Sequence, residues 1–234
     1  MLLVYTSKIT PRLKFVFKQI CTRILYIPVS FTNVIEEFIA HDDLKMSYGA
    51  QPLGSEFFVR SNGLLLEQGL SDLELNVQIW EETKCFFSSG EKSHIPFDIF
   101  SAAFYLLSRY EEYLPHVKDS YGRFTKEESL AFKSGFLHQP VIDIWAYKFK
   151  DALQVQYPHY EFYSRKFSIN PVIDVPVAYY FKNKGFLRTI GGIGSDLFRF
   201  RFKLLYERFP VLFGFKKDPY DNFKWIINRQ KTTQ

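Results

Sequence analysis

Leu2-Leu3-Val4-Tyr5, Thr10-Pro11-Arg12-Leu13-Lys14-Phe15-Val16-Phe17 and Ile27-Pro28-Val29-Ser30-Phe31 are the segments of residues 2–31 that decide the fold class. The first is an apolar run of strand length. Thr10 is a helix N-cap residue, and Pro11 suits the first helical position because its φ is fixed and it has no N–H to satisfy. Apolar residues at 13, 16, 17, 20, 21, 24 and 25 then recur with a helical period. The third segment returns to β-type residues. Strand, helix and strand in this order predict an α/β domain. Asn33 with Glu36 has the form of a capping box for a short helix through Ile39.

Outward from this opening, the pattern changes between Lys45 and Phe87. β-rich runs at Glu56–Arg60, Leu73–Trp80 and Lys84–Phe87 predict a small sheet region, with Asn62-Gly63 as a tight turn before Leu64-Leu65-Leu66. Asp98 is the expected N-cap of a helix from Ile99 to about Tyr113, stopped by Pro115. A polar loop, Lys118 to Glu128, leads to a helix opened by Pro140. Residues 1–165 are therefore expected to form a mixed-sheet α/β domain with helices. Beyond it, Phe167, Ile169, Val172, Ile173 and Val175 read as a buried strand that carries Asp174. Gly185, Gly191, Gly192 and Gly194 read as a loose linker. Ser195 or Asp196 is the expected cap of the next helix, and Asp218 or Asp221 that of a last short one through Ile227. One strand and two helices bury little core by themselves, so residues 166–234 read as the opening of a domain whose body is missing.

Composition bounds the function classes. Of 234 residues, 47% are hydrophobic and 19% aromatic, which is ample for a core and excludes a disordered chain. The uncharged stretches are too short to span a bilayer. Met1-Leu2-Leu3 has neither a basic leader nor a small-residue cleavage site, so a cytoplasmic location is expected. Cys21 and Cys85 lack metal-type spacing and read as free buried thiols. Residues 1–179 hold 18 Lys/Arg against 21 Asp/Glu, and residues 180–234 hold 12 against 4. The basic character belongs to the C-terminal quarter, where an anionic partner or a neighbouring acidic surface would meet it.

Several groups of residues invite a chemical reading. Arg109, Glu112, Asp119 and Arg123, with Glu111 beside them, combine carboxylates and guanidinium groups suited to acid/base or sugar-binding work. The simpler reading is a salt-bridged helix end that anchors the following loop. His41, His94, His116, His138 and His159 are too far apart to form a helical metal pair. Gly191-Gly192-Ile193-Gly194-Ser195 lacks the lysine of a phosphate loop. Leu197-Phe198-Arg199-Phe200-Arg201-Phe202-Lys203-Leu204-Leu205 alternates basic and aromatic residues. As a helix it has no clean polar face, so packing within a larger protein is favoured over a membrane surface or a nucleic acid.

Pro96-Phe97-Asp98, Phe104 to Tyr113, Gly122-Arg123-Phe124, Pro140 to Trp145, Pro171-Val172-Ile173-Asp174 and Lys217 to Asp221 together resemble the bacterial polysaccharide deacetylase-like proteins. These carry an uncharacterised α/β domain before a NodB-homology domain. The resemblance implies that residues 166–234 hold the first strand and helices of an incomplete (β/α) NodB-like barrel. It implies hydrolysis of N- or O-acetyl groups on glycans by a complete protein, with a divalent metal such as zinc polarising the carbonyl. Asp174 matches the catalytic base of the first Asp-x-Asp motif. Pro176 stands where the second carboxylate, a metal ligand, is expected, and no histidine follows His159. The chain alone is thus expected to lack a metal site and activity. A polysaccharide or a glycan-assembly protein is the expected partner.

Overall fold

The computed structural model describes residues 1–163 and 166–232. The chain divides into two compact units, Met1–Lys166 and Phe167–Gln234. The fold is α/β.

In the first unit, β1 (Leu2–Tyr5), β2 (Val29–Thr32), β3 (Lys45–Gly49) and β4 (Phe57–Arg60) form a four-stranded sheet in the order β2-β1-β3-β4. Every pairing in it is parallel. The expected mixed sheet is thus a parallel sheet plus a separate antiparallel hairpin, β5 (Gln78–Trp80) with β6 (Thr83–Cys85). In-register neighbours share a face, so Val4, Phe31, Met46 and Phe57 make one row, and Tyr48 with Val59 extends it. On this face lies α1 (Pro11–Phe17), capped by Thr10, whose hydroxyl accepts from the Leu13 N–H. It runs on as a π-helical stretch, Lys18–Ile24, and the two bury Leu13, Val16, Phe17, Ile20 and Cys21.

The Phe17 ring stacks 3.7 Å from Phe100 of α3 (Ile99–Leu107). Phe149 of α5 (Val141–Gln156) closes the cluster edge-on to both Phe57 and Phe100. Each large apolar side chain sealed in this way contributes about 1.5–3 kcal/mol. Trp145 is fully buried, and its indole N–H donates to the Lys84 carbonyl at 3.0 Å, which ties α5 to β6. The opposite face of the sheet carries α2 (Ile35–Ile39), where Phe38 meets Tyr5. The expected Asn33 capping box is absent there. Val34 is the N-cap, and Thr32 accepts from its N–H while donating to Glu37. Gly63, at φ +106°, opens a turn closed by Leu66 N–H on its own carbonyl, so Leu64–Leu66 is not a strand. His94 protects the β4 edge, donating its N–H to the Phe58 carbonyl and accepting from the Phe58 N–H.

In a parallel sheet of this order, ligands bind at the C-terminal strand ends where the order reverses, between β1 and β3. Here Thr10 donates to the Leu65 carbonyl and Arg12 to that of Leu64. Both leucines are buried, so the chain's own turn closes this edge at the start of α1.

The second unit contains α6 (Phe186–Phe198), α7 (Phe202–Leu212) and α8 (Phe223–Thr232). Of the expected glycine linker, Gly185 is the residue just before α6 and Gly191, Gly192 and Gly194 lie inside it, and Asp196 pairs with Arg208 of α7 instead of capping a helix. Glycine has a local reason at 192: a Cβ there would lie 2.5 Å from Arg208 Nη1. Asp218 is not a helix cap either. It is buried and accepts the N–H groups of Tyr180, Phe181, Lys182 and Tyr220. The basic–aromatic run is broken between helices, with Phe200 in the left-handed region at φ +53°. No helix of the described residues is long and apolar enough to cross a membrane.

A candidate binding groove and the Asp174 segment

The helix capped by Asp98 ends earlier than its apolar pattern predicts. Arg109 takes a left-handed conformation, φ +54°, and turns the chain into a 3₁₀ turn, Tyr110–Tyr113. Non-glycine residues rarely adopt this conformation. Tyr110 supports it from below, buried against Tyr105, with its hydroxyl exchanging hydrogen bonds with the Ser71 backbone. Glu111 is drawn inward to accept the N–H of Leu130, the first residue of α4 (Leu130–Lys133), at 2.8 Å. Burial pushes its carboxyl above the usual range and Glu112 adds to the rise, against the lowering by that hydrogen bond. Glu111 therefore anchors the loop, while Glu112 stays at the surface in an ion pair with Arg109.

The loop that follows folds on itself. Lys118 bridges Phe124, and Asp119 organises the turn between them. One Asp119 oxygen accepts the N–H groups of Tyr121 and Arg123 at 2.8 and 2.9 Å, and the other accepts from Arg123 Nε at 2.9 Å. The Arg123 backbone N–H, with the guanidinium and the Tyr121 N–H, holds the Asp119 carboxyl below its usual range. The Arg123 guanidinium also lies 4.8 Å over the Tyr121 ring. His116 Nδ1 pairs with the Leu114 carbonyl at 2.8 Å, and its ring packs edge-on to Phe124.

These two folded pieces enclose a shallow groove of about 450 Å³ lined by Arg109, Glu112, His116, Lys118, Gly122, Arg123 and Phe124. The sequence-predicted Arg109, Glu112 and Arg123 all reach it, and Asp119 orients Arg123 from behind. His116, Lys118 and Phe124 are new members. The Tyr121-Gly122 turn between Lys118 and Phe124 is the signal that brings them in. In both ion pairs the guanidinium is mostly exposed and the carboxylate only partly so, and pairs at the surface add little to stability. Their planar guanidinium forks, carboxylates and aromatic neighbours suit the hydroxyl-rich edge and apolar face of a sugar.

Asp174 is not at the end of a buried strand. Residues 167–177 form no strand, and Phe167 and Val172 are 90% and 91% exposed. A strand needs a partner for its backbone N–H and C=O groups, and none pairs with this segment among the described residues. Pro176 offers no side-chain donor beside Asp174, so the residues present do not fit the divalent metal that the resemblance implies. Among the described residues no three of His, Cys, Asp and Glu gather as a metal-binding group.

A family model described as a family of unknown function (DUF7033) matches residues 2–158, which lie within the first unit. No curated protein matches the chain, and no solved structure does.

Proposed function

The chain belongs to the family of unknown function DUF7033, and we propose that its first unit is a non-catalytic, glycan-directed module of a polysaccharide deacetylase-like protein. The convergence of Arg109, Glu112, His116, Lys118, Arg123 and Phe124 on one groove carries this reading. In it, the groove holds the polysaccharide. Residues 166–234 correspond to the opening elements of a NodB-like barrel, and Asp174 takes the place of the catalytic base of a complete enzyme. With Asp174 on an exposed irregular segment and Pro176 in the ligand position, this chain does not hydrolyse acetyl groups. Zinc belongs to the complete enzyme and not to this chain.

Calorimetric titration of the full chain with N-acetylated and partly deacetylated oligosaccharides tests the reading. Binding is expected, and Arg123→Ala should weaken it about tenfold, the equivalent of ~1.4 kcal/mol. Loss of binding with no change in the circular dichroism spectrum supports the groove. Absence of binding by the unaltered chain, or acetate release on adding zinc or cobalt, overturns it. A second reading, docking of a glycan-assembly protein, is favoured by the exposed Phe198, Phe202, Tyr206 and Trp225 of the second unit. Capture of such a protein by residues 167–234 together with no glycan binding would select it.

A further inference from the structure

The 3₁₀ turn Tyr110–Tyr113 has a second concavity beside it. Arg12, Gly69, Leu70, Phe104, Ser108, Tyr110 and Tyr113 line a cleft of about 330 Å³. Ser108 and Arg109 are neighbours in sequence, as are Glu112 and Tyr113, yet the pairs divide between the cleft and the charged groove. The two depressions therefore flank one turn. Their chemistry differs. The cleft is walled by aromatic and aliphatic side chains, and Tyr113 is 70% exposed. Arg12 lies 5.3 Å from the Phe104 ring centre and 6.0 Å from that of Tyr110, and its guanidinium is already committed to the carbonyls of Leu64 and Gly69. It stiffens the wall and leaves the ring of Tyr113 as the open surface. The Ser108 hydroxyl, shielded from water behind this wall, has no partner among the described residues.

We propose that the cleft beside Tyr113 is a second subsite, which stacks the apolar face of a pyranose ring while the adjoining residue of the same chain lies in the charged groove. The inference rests on the glycan reading of that groove. A pyranose presents C–H groups on one face and hydroxyls around its rim. An exposed aromatic ring, that of Tyr113, matches the face. A turn of four residues between the subsites makes the surface suited to a chain of sugars over a single one.

The probe is the tetramer of N-acetylglucosamine, titrated into the full chain and compared with the monosaccharide. The tetramer should bind the unaltered protein more tightly than the monosaccharide does. Tyr113→Ala should weaken tetramer binding about tenfold, and Tyr113→Phe should stay within about twofold because the ring is kept. Leu70→Asp places a charge on the rim and should weaken the tetramer as well. Saturation-transfer signals from the aromatic protons should reach the sugar C–H protons and vanish in Tyr113→Ala. If the tetramer binds and Arg123→Ala weakens it while Tyr113→Ala does not, the second subsite is overturned and the groove stands. If the unaltered protein binds neither sugar, the groove reading falls and the subsite with it.

Discussion

Asp98 and Asp218 are two buried carboxylates that titrate in opposite directions. Asp98 accepts the N–H groups of Phe100 and Ser101 with one oxygen, and the Tyr48 hydroxyl and Asn62 N–H with the other. Burial nevertheless wins and lifts its carboxyl above the usual range. For Asp218, burial also acts to raise the carboxyl, but the N–H groups of Tyr180, Phe181, Tyr220 and Lys182 outweigh it and hold the group below its usual range. The stability contributed by Asp98 is therefore full below the unfolded value of about 3.9 and is lost as pH rises through its folded value. That from Asp218 is present above about 3.9 and is lost as pH falls through its lower folded value. On acidification, amide protection at Tyr180, Phe181 and Lys182 should fall before that at Phe100 and Ser101, as hydrogen exchange will read. Asp98→Ala strips four donors of their acceptor and should cost about 3 kcal/mol in urea unfolding of the first unit. Asp98→Asn keeps one oxygen for the helix and should cost less than half as much.

Whether an element was legible in the sequence followed how local its cause was. Thr10-Pro11 and Asp98 carry their cap geometry within a few residues, and both helices start where that chemistry requires. β3 was hidden although Met46 and Tyr48 alternate with Lys45 and Ser47, because the strand is short and one of its partners, β1, is distant in sequence. The run Phe167 to Val175 shows the converse: it is apolar enough for a strand and has no partner among the described residues to make it one. The groove was half legible. Its guanidinium and carboxylate groups lie close in sequence, whereas His116, Lys118 and Phe124 needed the bridge across the Tyr121-Gly122 turn. α6 was misread because glycine signals flexibility unless a neighbour requires its space. Here that neighbour is Arg208, held by Asp196 in a nearly buried ion pair and placed 5.1 Å over the Phe181 ring. Arg208→Met removes the cation and strands the Asp196 charge, so it should destabilise the second unit by about 3 kcal/mol. Gly192→Ala gains about 1 kcal/mol of helix propensity but displaces the guanidinium. A thermal scan of the second unit should place it below the unaltered chain and above Arg208→Met.

At the scale of the whole molecule, the two units differ in how far they bury their apolar residues. The first seals Trp145, Phe100 and Phe149 in one cluster together with the sheet. The second leaves Phe186, Leu187, Phe198, Phe200 and Phe215 exposed, alongside the basic residues that give the C-terminal quarter its charge. Exposed apolar groups contribute nothing to folding until something covers them, so the second unit should be the weaker one by itself. Unfolding should then proceed in two steps, violating the two-state rule that single domains follow. The tryptophans report each step separately. Trp225 lies at the surface of the second unit and Trp145 in the core of the first, so replacing Trp225 with Phe should remove the low-denaturant change in fluorescence and leave the main transition intact. Brief proteolysis should cut first within residues 167–177, whose backbone forms no strand or helix, and release a fragment that ends near Lys166. That fragment should keep the Trp145 signal and the cooperative main transition. A fragment that unfolds on release would show instead that the first unit depends on the second for its stability.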